Sequence, residues 1–144
     1  MIRKAERTDL PELGALGALL WPHHSGEELT AEFEKIMSMG KSAFFLARSG
    51  GQTVGFAQCQ LRHDYVEGTS SSPVGYLEGI FVREEFRHQG IAKQLLFACE
   101  NWAKEQGCRE FASDCELGNT ESLRFHLGLG FEEANRIICF VKKL

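Results

Sequence analysis

The chain of 144 residues lacks the features that mark membrane, secreted and nucleic-acid-binding proteins. No apolar run approaches the roughly 20 residues that a helix needs to cross a bilayer. Residues 1–7 lack the apolar core of a signal peptide. The net charge is −4, whereas a surface that binds nucleic-acid phosphates needs an excess of positive charge. We therefore expect a cytoplasmic protein that neither enters a membrane nor binds nucleic acid.

The cysteines also lack the pattern of a disulfide framework or a zinc site. Their number is odd, and no two of them form a Cys-x-x-Cys pair. Free thiols buried in the core are the expected state of most of them, and the sequence predicts no metal site. The five positions are Cys59, Cys99, Cys108, Cys115 and Cys139.

The composition that remains is that of one globular domain. Hydrophobic residues make up 43% of the chain and charged residues 25%, as in an ordinary soluble protein. No linker, repeat or low-complexity segment divides the sequence, so residues 1–144 are predicted to form a single domain. The acidic balance is compatible with a cationic small molecule as ligand.

Apolar periodicity and turn residues predict an α+β chain in the order β-α-α-β-β-β-α-β-α-β. Ser25 and Glu28 match the capping box of a helix start, and Ser49-Gly50-Gly51 is typical of a hairpin turn. Helices are expected at 8–21, 25–40 and 119–127, with a further one that opens at 87–92 and stops at Gly107. Strands are expected at 2–7, 42–48, 52–63, 74–82 and 110–113, with one or two more from 131 that end at 137–141.

The most informative stretch joins the apolar strand over 76–82 to the helix after it. The sequence Arg87-His-Gln-Gly90-Ile-Ala92 opens this helix, and Gly90 lets the backbone approach a ligand closely. The free N–H groups from His88 to Lys93 would converge at the positive end of the helix, an anion site suited to a pyrophosphate. Neither Gly-x-x-x-x-Gly-Lys-Ser/Thr nor Gly-x-Gly-x-x-Gly is present. The alternative is an ordinary strand–loop–helix crossover.

Glu78 is the first candidate for chemistry. Alternation along the strand places it on the same face as Tyr76, Ile80 and Val82. A buried carboxylate without a partner is costly, so Glu78 should be paired or should face a wet cleft. It is either a functional acid or a buried, hydrogen-bonded structural residue.

Asp114 is the second candidate acid. It directly follows the strand expected over 110–113. In such a position it could bind an ammonium group. The alternative is a loop carboxylate that caps the helix near Asn119.

Two motifs resemble those of the GNAT acetyltransferases, which bind acetyl-coenzyme A. The first is the helix start, which resembles the Gln/Arg-x-x-Gly-x-Gly/Ala signature of that superfamily and here is Arg87-x-x-Gly90-x-Ala92. The second is similar to the Asn…Ala…Tyr…Gly-Phe pattern and here is Asn119-x-x-Ser122-x-x-x-His126-x-x-x-Gly130-Phe131. Their order and separation along the chain also match.

The resemblance implies a fold and a co-substrate. The expected fold is the α+β GNAT fold, with a mixed, mostly antiparallel central sheet of six to seven strands flanked by about four helices. Acetyl-coenzyme A would lie between two diverging strands, with no metal ion. The residues implied in its binding are Ile80, Phe81 and Val82 for the pantetheine amides, Arg87, His88, Gln89, Gly90, Ile91, Ala92 and Lys93 for the pyrophosphate, and Asn119 for the pantetheine arm.

The resemblance also implies two catalytic roles. Glu78 would accept the proton that an ammonium group must lose, directly or through water. His126 stands where the family usually has a tyrosine, and a histidine can protonate a leaving thiolate near neutral pH. A helix histidine at the surface or against the core is the other interpretation of His126.

Several further segments, spread over nearly the whole chain, share one pattern: Leu19-Leu-Trp21-Pro22-x-His24, Arg62-His-Asp-Tyr65-Val, Ser71-Ser-Pro73-Val with Leu77-Glu78-Gly-Ile, and Phe111-Ala-Ser-Asp114. Together they resemble the aminoglycoside 6′-N-acetyltransferases. This implies an aminoglycoside, or another polycationic amine, as substrate, and an ability to confer aminoglycoside resistance. Aromatic rings would pack on sugar faces and carboxylates would neutralise ammonium groups. The implied substrate-binding residues are Trp21, His24, Tyr65, Glu78 and Asp114. Taken alone, Trp21 would fit the core and His24 a solvent-exposed loop.

The family resemblance implies a homodimer, and the apolar segment 137–141 could pair across its interface. An internal strand would have the same sequence character. Three other functions remain to be separated: acetylation of a different amine, non-catalytic binding of a coenzyme or an aminoglycoside, and a bare interaction domain.

Overall fold

The computed structural model describes all residues from 1 to 144. Its regular elements follow the predicted order up to residue 128. The strands are β1 (Ile2–Lys4), β2 (Ser42–Ser49), β3 (Gln52–Arg62), β4 (Val74–Val82) and β5 (Phe111–Ser113); the helices are α1 (Leu10–Leu20), α2 (Gly26–Ser38), α3 (Ile91–Glu105) and α4 (Thr120–Gly128). Two short 3-10 turns, Arg7–Asp9 and Glu84–Phe86, precede α1 and α3. None of the helices has the length and the apolar composition of a membrane span.

The five strands form one mixed sheet in the order β1-β2-β3-β4-β5. The first three pairings are antiparallel, and only β4 and β5 run parallel. The parallel pair requires a crossover, which α3 supplies. The α+β class and the four helices are therefore as predicted.

The sheet separates two hydrophobic cores. On one face, Leu95, Leu96 and Cys99 of α3 are fully buried against β2, β3 and β4. On the other face, α1 and α2 bury Leu13 and Phe33 against the sheet. Burial of these apolar side chains on both faces fixes the position of the helices relative to the strands.

The start of α2 follows the sequence signal, whereas the start of α1 does not. The Ser25 hydroxyl accepts the N–H of Glu28 at 3.1 Å and caps α2. The helix expected from Thr8 begins at Leu10, after a 3-10 turn. The buried Asp9 carboxylate accepts the N–H of Glu6 at 2.8 Å, so this acid and not Thr8 organises the turn.

A bulge in β4 corrects the predicted orientation of Glu78. Leu77 pairs with Cys59 and Gly79 with Gln58, so Glu78 has no opposite residue on β3. The extra residue shifts the alternation: Ile80 and Val82 pack towards α3, whereas Glu78 faces the side of α1 and α2. The expectation that Glu78 shares a face with Ile80 and Val82 was wrong, because strict alternation assumes an uninterrupted ladder.

The terminal strands expected after residue 131 are absent, which reduces the sheet from the predicted six to seven strands to five. The chain beyond Phe131 has no regular hydrogen-bonded structure, and its apolar side chains are exposed, including Ile138 at 81% and Phe140 at 91%. A strand forms only where a neighbour supplies hydrogen-bond partners, and this segment extends away from every strand of its own chain.

Candidate active site

The sheet opens between β4 and β5. The last paired residues are Leu77 and Ser113, after which β5 ends while β4 continues to Val82. Residues 78–82 of β4 therefore have no strand neighbour on the β5 side. The Arg83 N–H donates to Val54 of β3, so by alternation the backbone groups of Phe81 also face β3, whereas those of Ile80 and Val82 face the opening. The groups on the open side can pair with the amides of an extended ligand.

The loop from β4 to α3 places a row of free N–H groups beside this opening. None of the backbone N–H groups from His88 to Lys93 donates to an acceptor within the protein. Gly90 is the N-cap of α3 in the left-handed region, with φ +80°, and a Cβ atom there would project into open space. Ile91 and Ala92 start the helix, whose positive end faces this space. The geometry fits the predicted anion site.

Two residues give the loop its shape. His88 has φ +62°, a strained value for a residue other than glycine, and with Gly90 it makes two left-handed turns in three residues. Successive turns of this kind aim backbone N–H groups at one point.

The side chain of Arg87 does not face that point, because its Nε donates to the carbonyl of Val82 at 2.8 Å and its guanidinium lies over the ring of Phe81. Gln89 and Lys93 are exposed at the loop.

A cleft of about 220 Å³ lies on the other side of the Glu78 bulge. It lies between the N-terminal part of α2, the end of α1 and the sheet. Its walls combine aromatic rings with two carboxylates, a pairing suited to a sugar that carries ammonium groups. The lining residues are Trp21, His24, Leu29, Glu32, Phe33, Gln58 and Glu78.

Trp21 forms the aromatic wall. It ends α1, and its ring packs on the backbone of Gly79, where a Cβ atom would lie 2.6 Å from the ring. Its edge contacts the rings of Phe33 and Phe56, with centroids 6.3 and 6.2 Å away. Trp21 therefore belongs both to the core and to the cleft, and Gly79 permits this close approach.

Glu78 is paired, as expected of a half-buried carboxylate. Its side chain is 18% exposed, and Arg62 at the end of β3 donates to both of its oxygens, at 2.9 and 3.1 Å. The guanidinium of Arg62 lies 3.4 Å from the ring centroid of Tyr76. The Tyr76 hydroxyl in turn donates to the Asp114 carboxylate. Arg62 and Tyr76 thus link the two predicted acids, Glu78 and Asp114, at the opening of the sheet.

The phenol of Tyr76 stays protonated and acts as the donor in this network. Burial raises the pKa of Tyr76 above its usual value, and the hydrogen bond and charge of Asp114 raise it further. Asp114 is exposed just after β5 and, through Tyr76, is held near Glu78. It does not cap α4, whose N-cap is Asn119.

His126 lies against the end of β5, half-buried. Its Nδ1 lies 2.7 Å from the carbonyl oxygen of Ser122, and its Nε2 lies 2.8 Å from the hydroxyl of Ser113. A carbonyl only accepts, so Nδ1 carries a proton and donates to it. The neutral ring then accepts from Ser113 at Nε2. The edge of the Phe131 ring packs on the imidazole, with centroids 5.0 Å apart.

Asn119 caps α4 and keeps one group free. Its side-chain oxygen accepts the N–H of Ser122 at 3.1 Å, while its NH₂ group has no acceptor within the protein. A residue that fixes a helix start and presents a free donor can hold an extended ligand such as the pantetheine arm.

The remaining sequence-predicted residues lie at the rim or outside. His24 lines the cleft but is exposed, and its Nδ1 lies 3.2 Å from Glu28 of the next helical turn. Tyr65 is 76% exposed on the loop before β4 and does not line the cleft. Asn135, to which the sequence assigned no role, donates to Glu67 of the same loop at 2.8 Å.

Sequence reasoning missed five residues of the site: Arg62, Tyr76, Ser113, Gln58 and Glu32. Arg62 is separated from Glu78 by 16 residues along the chain. Only the pairing of β3 with β4 brings them together. Gln58 gave one detectable signal, because it is a polar residue in the middle of an apolar strand, and in the structure it is buried.

A second cavity, of about 350 Å³, lies apart from this opening. It is lined by parts of β1, β2 and the end of α3, and it contains none of the predicted site residues. No group of three or more His, Cys, Asp or Glu side chains is arranged to hold a metal ion. The smaller cleft is the candidate substrate site because it contains Glu78 beside the open edge of β4.

The sheet opens between β4 and β5, next to a helix start with free N–H groups, and β4 carries the acid Glu78 at this opening. This arrangement is typical of the acyl-coenzyme A-dependent N-acetyltransferases of the GNAT class. A sequence model of the acetyltransferase (GNAT) family matches residues 10–131. Aminoglycoside N(6′)-acetyltransferase type 1 of Salmonella typhimurium (strain LT2) is 45% identical over 99% of this chain and 98% of its own. The Serratia marcescens protein of the same name is 42% identical over 100% and 99%.

Solved structures of aminoglycoside acetyltransferases share the fold of this chain. The structure of AAC(6′)-Iy in complex with the bisubstrate analogue CoA-S-monomethyl-acetylneamine has a TM-score of 0.95 and 44% identity, covering 100% of this chain and 98% of that one. The 6′-N-acetyltransferase AAC(6′)-Ig of Acinetobacter haemolyticus has a TM-score of 0.93 and 35% identity, with 100% and 99% covered. The chain belongs to the acetyltransferase (GNAT) family, in its group of aminoglycoside N(6′)-acetyltransferases of type 1.

Proposed function

We propose that this protein transfers the acetyl group of acetyl-coenzyme A to the 6′-amino group of aminoglycosides. The observation that carries the proposal is the junction at β4, where a free anion-binding loop and an acidic, aromatic cleft meet at one unpaired strand edge. The full-length similarity to 6′-N-acetyltransferases, one of them bound to a coenzyme A–neamine bisubstrate analogue, supports this substrate pair.

Most of the coenzyme-binding residues predicted from the sequence fit this role, but the side chain of Arg87 does not, because it is turned to Val82 and Phe81. The N–H groups of residues 88–93 would take the pyrophosphate, and the open edge of β4 over 80–82 would pair with the pantetheine amides. Asn119 would use its free NH₂ on the same arm. The Gly90 position is compatible with this placement, because the space beside the loop is open: a Cβ atom there would meet no protein atom within 4 Å.

The aminoglycoside would occupy the cleft on the Glu78 side. The Trp21 ring offers a flat surface for a sugar, and Glu78, Glu32 and Asp114 offer carboxylates for its ammonium groups. His24 lies at the rim, where it can contact the substrate. Tyr65 can reach a bound sugar only from the exposed loop that carries it.

The chemistry follows from this arrangement. The coenzyme supplies an activated acetyl group, and most of the acceleration comes from holding the two substrates in attack geometry. Glu78 takes the proton that the 6′-ammonium group loses, directly or through water, so that the amine nitrogen attacks the thioester carbonyl. A backbone N–H of the Phe81–Val82 segment stabilises the charge that develops on the carbonyl oxygen, an effect of about 3 kcal/mol.

The C–N bond forms as the C–S bond breaks, and the leaving thiolate needs a proton. His126 is the candidate acid. Its Nε2 is hydrogen-bonded to Ser113, which ends β5 at the opening of the sheet. This relay requires the imidazolium form of His126, with a proton on each ring nitrogen. Ser113 then passes its hydroxyl proton to the thiolate and takes the Nε2 proton in its place, which leaves the imidazole neutral.

We further propose a homodimer in which each C-terminal segment pairs with its partner. The run Ile137-Ile138-Cys139-Phe140-Val141 is apolar on both faces, which is typical of a strand buried on both sides. In the single chain it is exposed, and β5 leaves one edge of the sheet unpaired. In a dimer, segment 137–141 of each chain can add as a strand to the free β5 edge of the other chain. This exchange gives the backbone groups of both segments and of both edges hydrogen-bond partners.

A cytoplasmic location is consistent with this function. Cys59, Cys99 and Cys108 are buried free thiols, and none of the five cysteines is paired. Such thiols are usual where the compartment is reducing.

Acetyl transfer can be followed as release of the free coenzyme thiol. We expect rapid release with tobramycin or kanamycin, slow release with spermidine, and a product acetylated at the 6′ nitrogen by NMR. Expression in a susceptible bacterial host should raise its tolerance of tobramycin. Fast turnover of spermidine alone would favour a different amine as substrate, and coenzyme binding without thiol release would make the protein a sensor.

A further inference from the structure

Arg62 holds the candidate catalytic acid from the neighbouring strand. Its Nε donates to Oε2 of Glu78 at 3.1 Å and its Nη2 to Oε1 at 2.9 Å, so that each carboxylate oxygen has one charged donor. A planar fork of this kind fixes the plane of the carboxylate as well as its position. Each oxygen keeps a second acceptor direction for the substrate.

The guanidinium is itself clamped. The ring of Tyr76 lies under it at 3.4 Å, and the bond from the Tyr76 hydroxyl to Asp114 fixes this ring. Stacking on an aromatic face and bidentate pairing both require the flat, delocalised guanidinium. A lysine at position 62 would keep the charge but would lose both contacts.

The same residue sets the charge of the cleft. One guanidinium stands against two carboxylates, Glu78 and Asp114, and Glu32 and His24 lie further out on the wall. This cluster of side chains therefore keeps a net negative charge that attracts ammonium groups. The charge is smaller than the one that the carboxylates would have without Arg62. Removal of the guanidinium would strengthen this attraction.

We propose that Arg62 is a positioning residue for acetyl transfer: it aligns Glu78 with the acceptor amine, and its positive charge weakens the attraction of the cleft for polycations. The inference rests on the proposed function. It assigns a role to a residue that neither GNAT motif contains. Arg62 acts through Glu78, so its loss should separate turnover from substrate binding.

The test compares Arg62→Met with Arg62→Lys, using tobramycin as acceptor. In Arg62→Met we expect kcat to fall about a hundredfold, because the carboxylate loses its alignment. The KM for tobramycin should also fall, roughly tenfold at low salt, and this change should disappear at high salt. In Arg62→Lys we expect a similar loss of kcat with a KM near that of the wild type, because the charge remains.

The matched control is Arg48→Met, which makes the same change of charge at the β2–β3 hairpin, where Arg48 donates to the carbonyl of Gly51. It should leave both constants unchanged. Thermal melting and coenzyme A affinity show whether each variant is folded, and Arg62→Gln replaces Arg62→Met if the latter is not.

Wild-type kinetics in the Arg62 variants, or full turnover in Arg62→Lys, would overturn the role of Arg62 but leave the proposed function intact. A raised KM in Arg62→Met would overturn it too, since a purely structural defect weakens binding and turnover together. Absence of tobramycin acetylation by the wild-type protein would overturn the proposed function, and this inference with it.

Discussion

The Nε2 atom of His126 lies 2.8 Å from the hydroxyl oxygen of Ser113. The other ring nitrogen donates to the carbonyl of Ser122, so the neutral imidazole accepts a hydrogen bond from Ser113, and it can supply a proton through Ser113 only after Nε2 has itself been protonated. The residue that replaces the tyrosine of the family pattern is thus connected to the opening through a serine. Proton delivery to the leaving thiolate would use both residues.

This pair can be tested by a double-mutant cycle. We expect Ser113→Ala and His126→Phe each to lower kcat by about a hundredfold, because either change breaks the relay. The double variant should be no slower than the worse single variant, since residues that act as a unit are not additive. Fully additive losses, or normal turnover in Ser113→Ala, would mean that the thiolate takes its proton elsewhere.

Glu78→Gln should lower kcat by at least a hundredfold with little change in coenzyme A affinity. Glutamine has the size of glutamate but can neither accept the proton of the ammonium group nor form the charged pair with Arg62. Steady-state kinetics and calorimetry give the two values. Glu27→Gln, on the exposed side of α2, is the matched control. Normal turnover in Glu78→Gln would remove this acid from the mechanism.

Replacement of Gly90 by valine should weaken coenzyme A binding by about tenfold or more. A β-branched residue is strained at φ +80°, and its side chain would occupy the open space at the loop that carries the free N–H groups. Calorimetric titration with coenzyme A measures the loss. Gly50→Val at the β2–β3 hairpin, also with a positive φ and open space, controls for backbone strain. Equal affinity in wild type and Gly90→Val would place the pyrophosphate elsewhere.

The C-terminal segment should determine the oligomeric state. We expect the wild type to sediment as a dimer and the double variant Ile138→Asp, Phe140→Asp as a monomer, because charges cannot enter a strand that is buried on both faces. Analytical ultracentrifugation at micromolar concentration distinguishes the two. Met39→Asp alters another exposed apolar residue and should stay dimeric. A monomeric wild type would contradict the exchange.

Asp9 should make folding stability depend on pH in the acid range. Its hydrogen bonds from Arg3, at 2.7 and 2.8 Å, hold the pKa of this buried carboxyl below its usual value. Its contribution is therefore complete above the unfolded pKa of about 4 and is lost as the pH falls through the folded value. Asp9→Asn should lower Tm by about 5 °C at pH 7.

The difference in Tm between Asp9→Asn and the wild type should shrink below pH 4, when the wild-type carboxyl itself takes up a proton. Scanning calorimetry from pH 3 to pH 8 follows both proteins. A difference that stays constant across this range would show that the charge of Asp9 contributes nothing to stability.

Local features of the sequence determined much of this protein. The helix start at Arg87–Ala92, the cap at Ser25 and the strand over 74–82 are encoded by residues adjacent in the chain, because phosphate loops, caps and apolar runs depend on nearest neighbours. The two motifs identified the GNAT class, and the structure placed Glu78 and Trp21 in one cleft.

The tertiary structure alone decided how the acid is held and which way it points. The bulge at Glu78 follows from the register between β3 and β4, and the contacts of Arg62 with Glu78 and of Tyr76 with Asp114 join residues far apart in sequence. The segment 137–141 has the sequence of a strand, but hydrogen bonds to a neighbour make a strand, and its own chain supplies none. Pairing between distant segments is a property of the folded chain, which no local pattern contains.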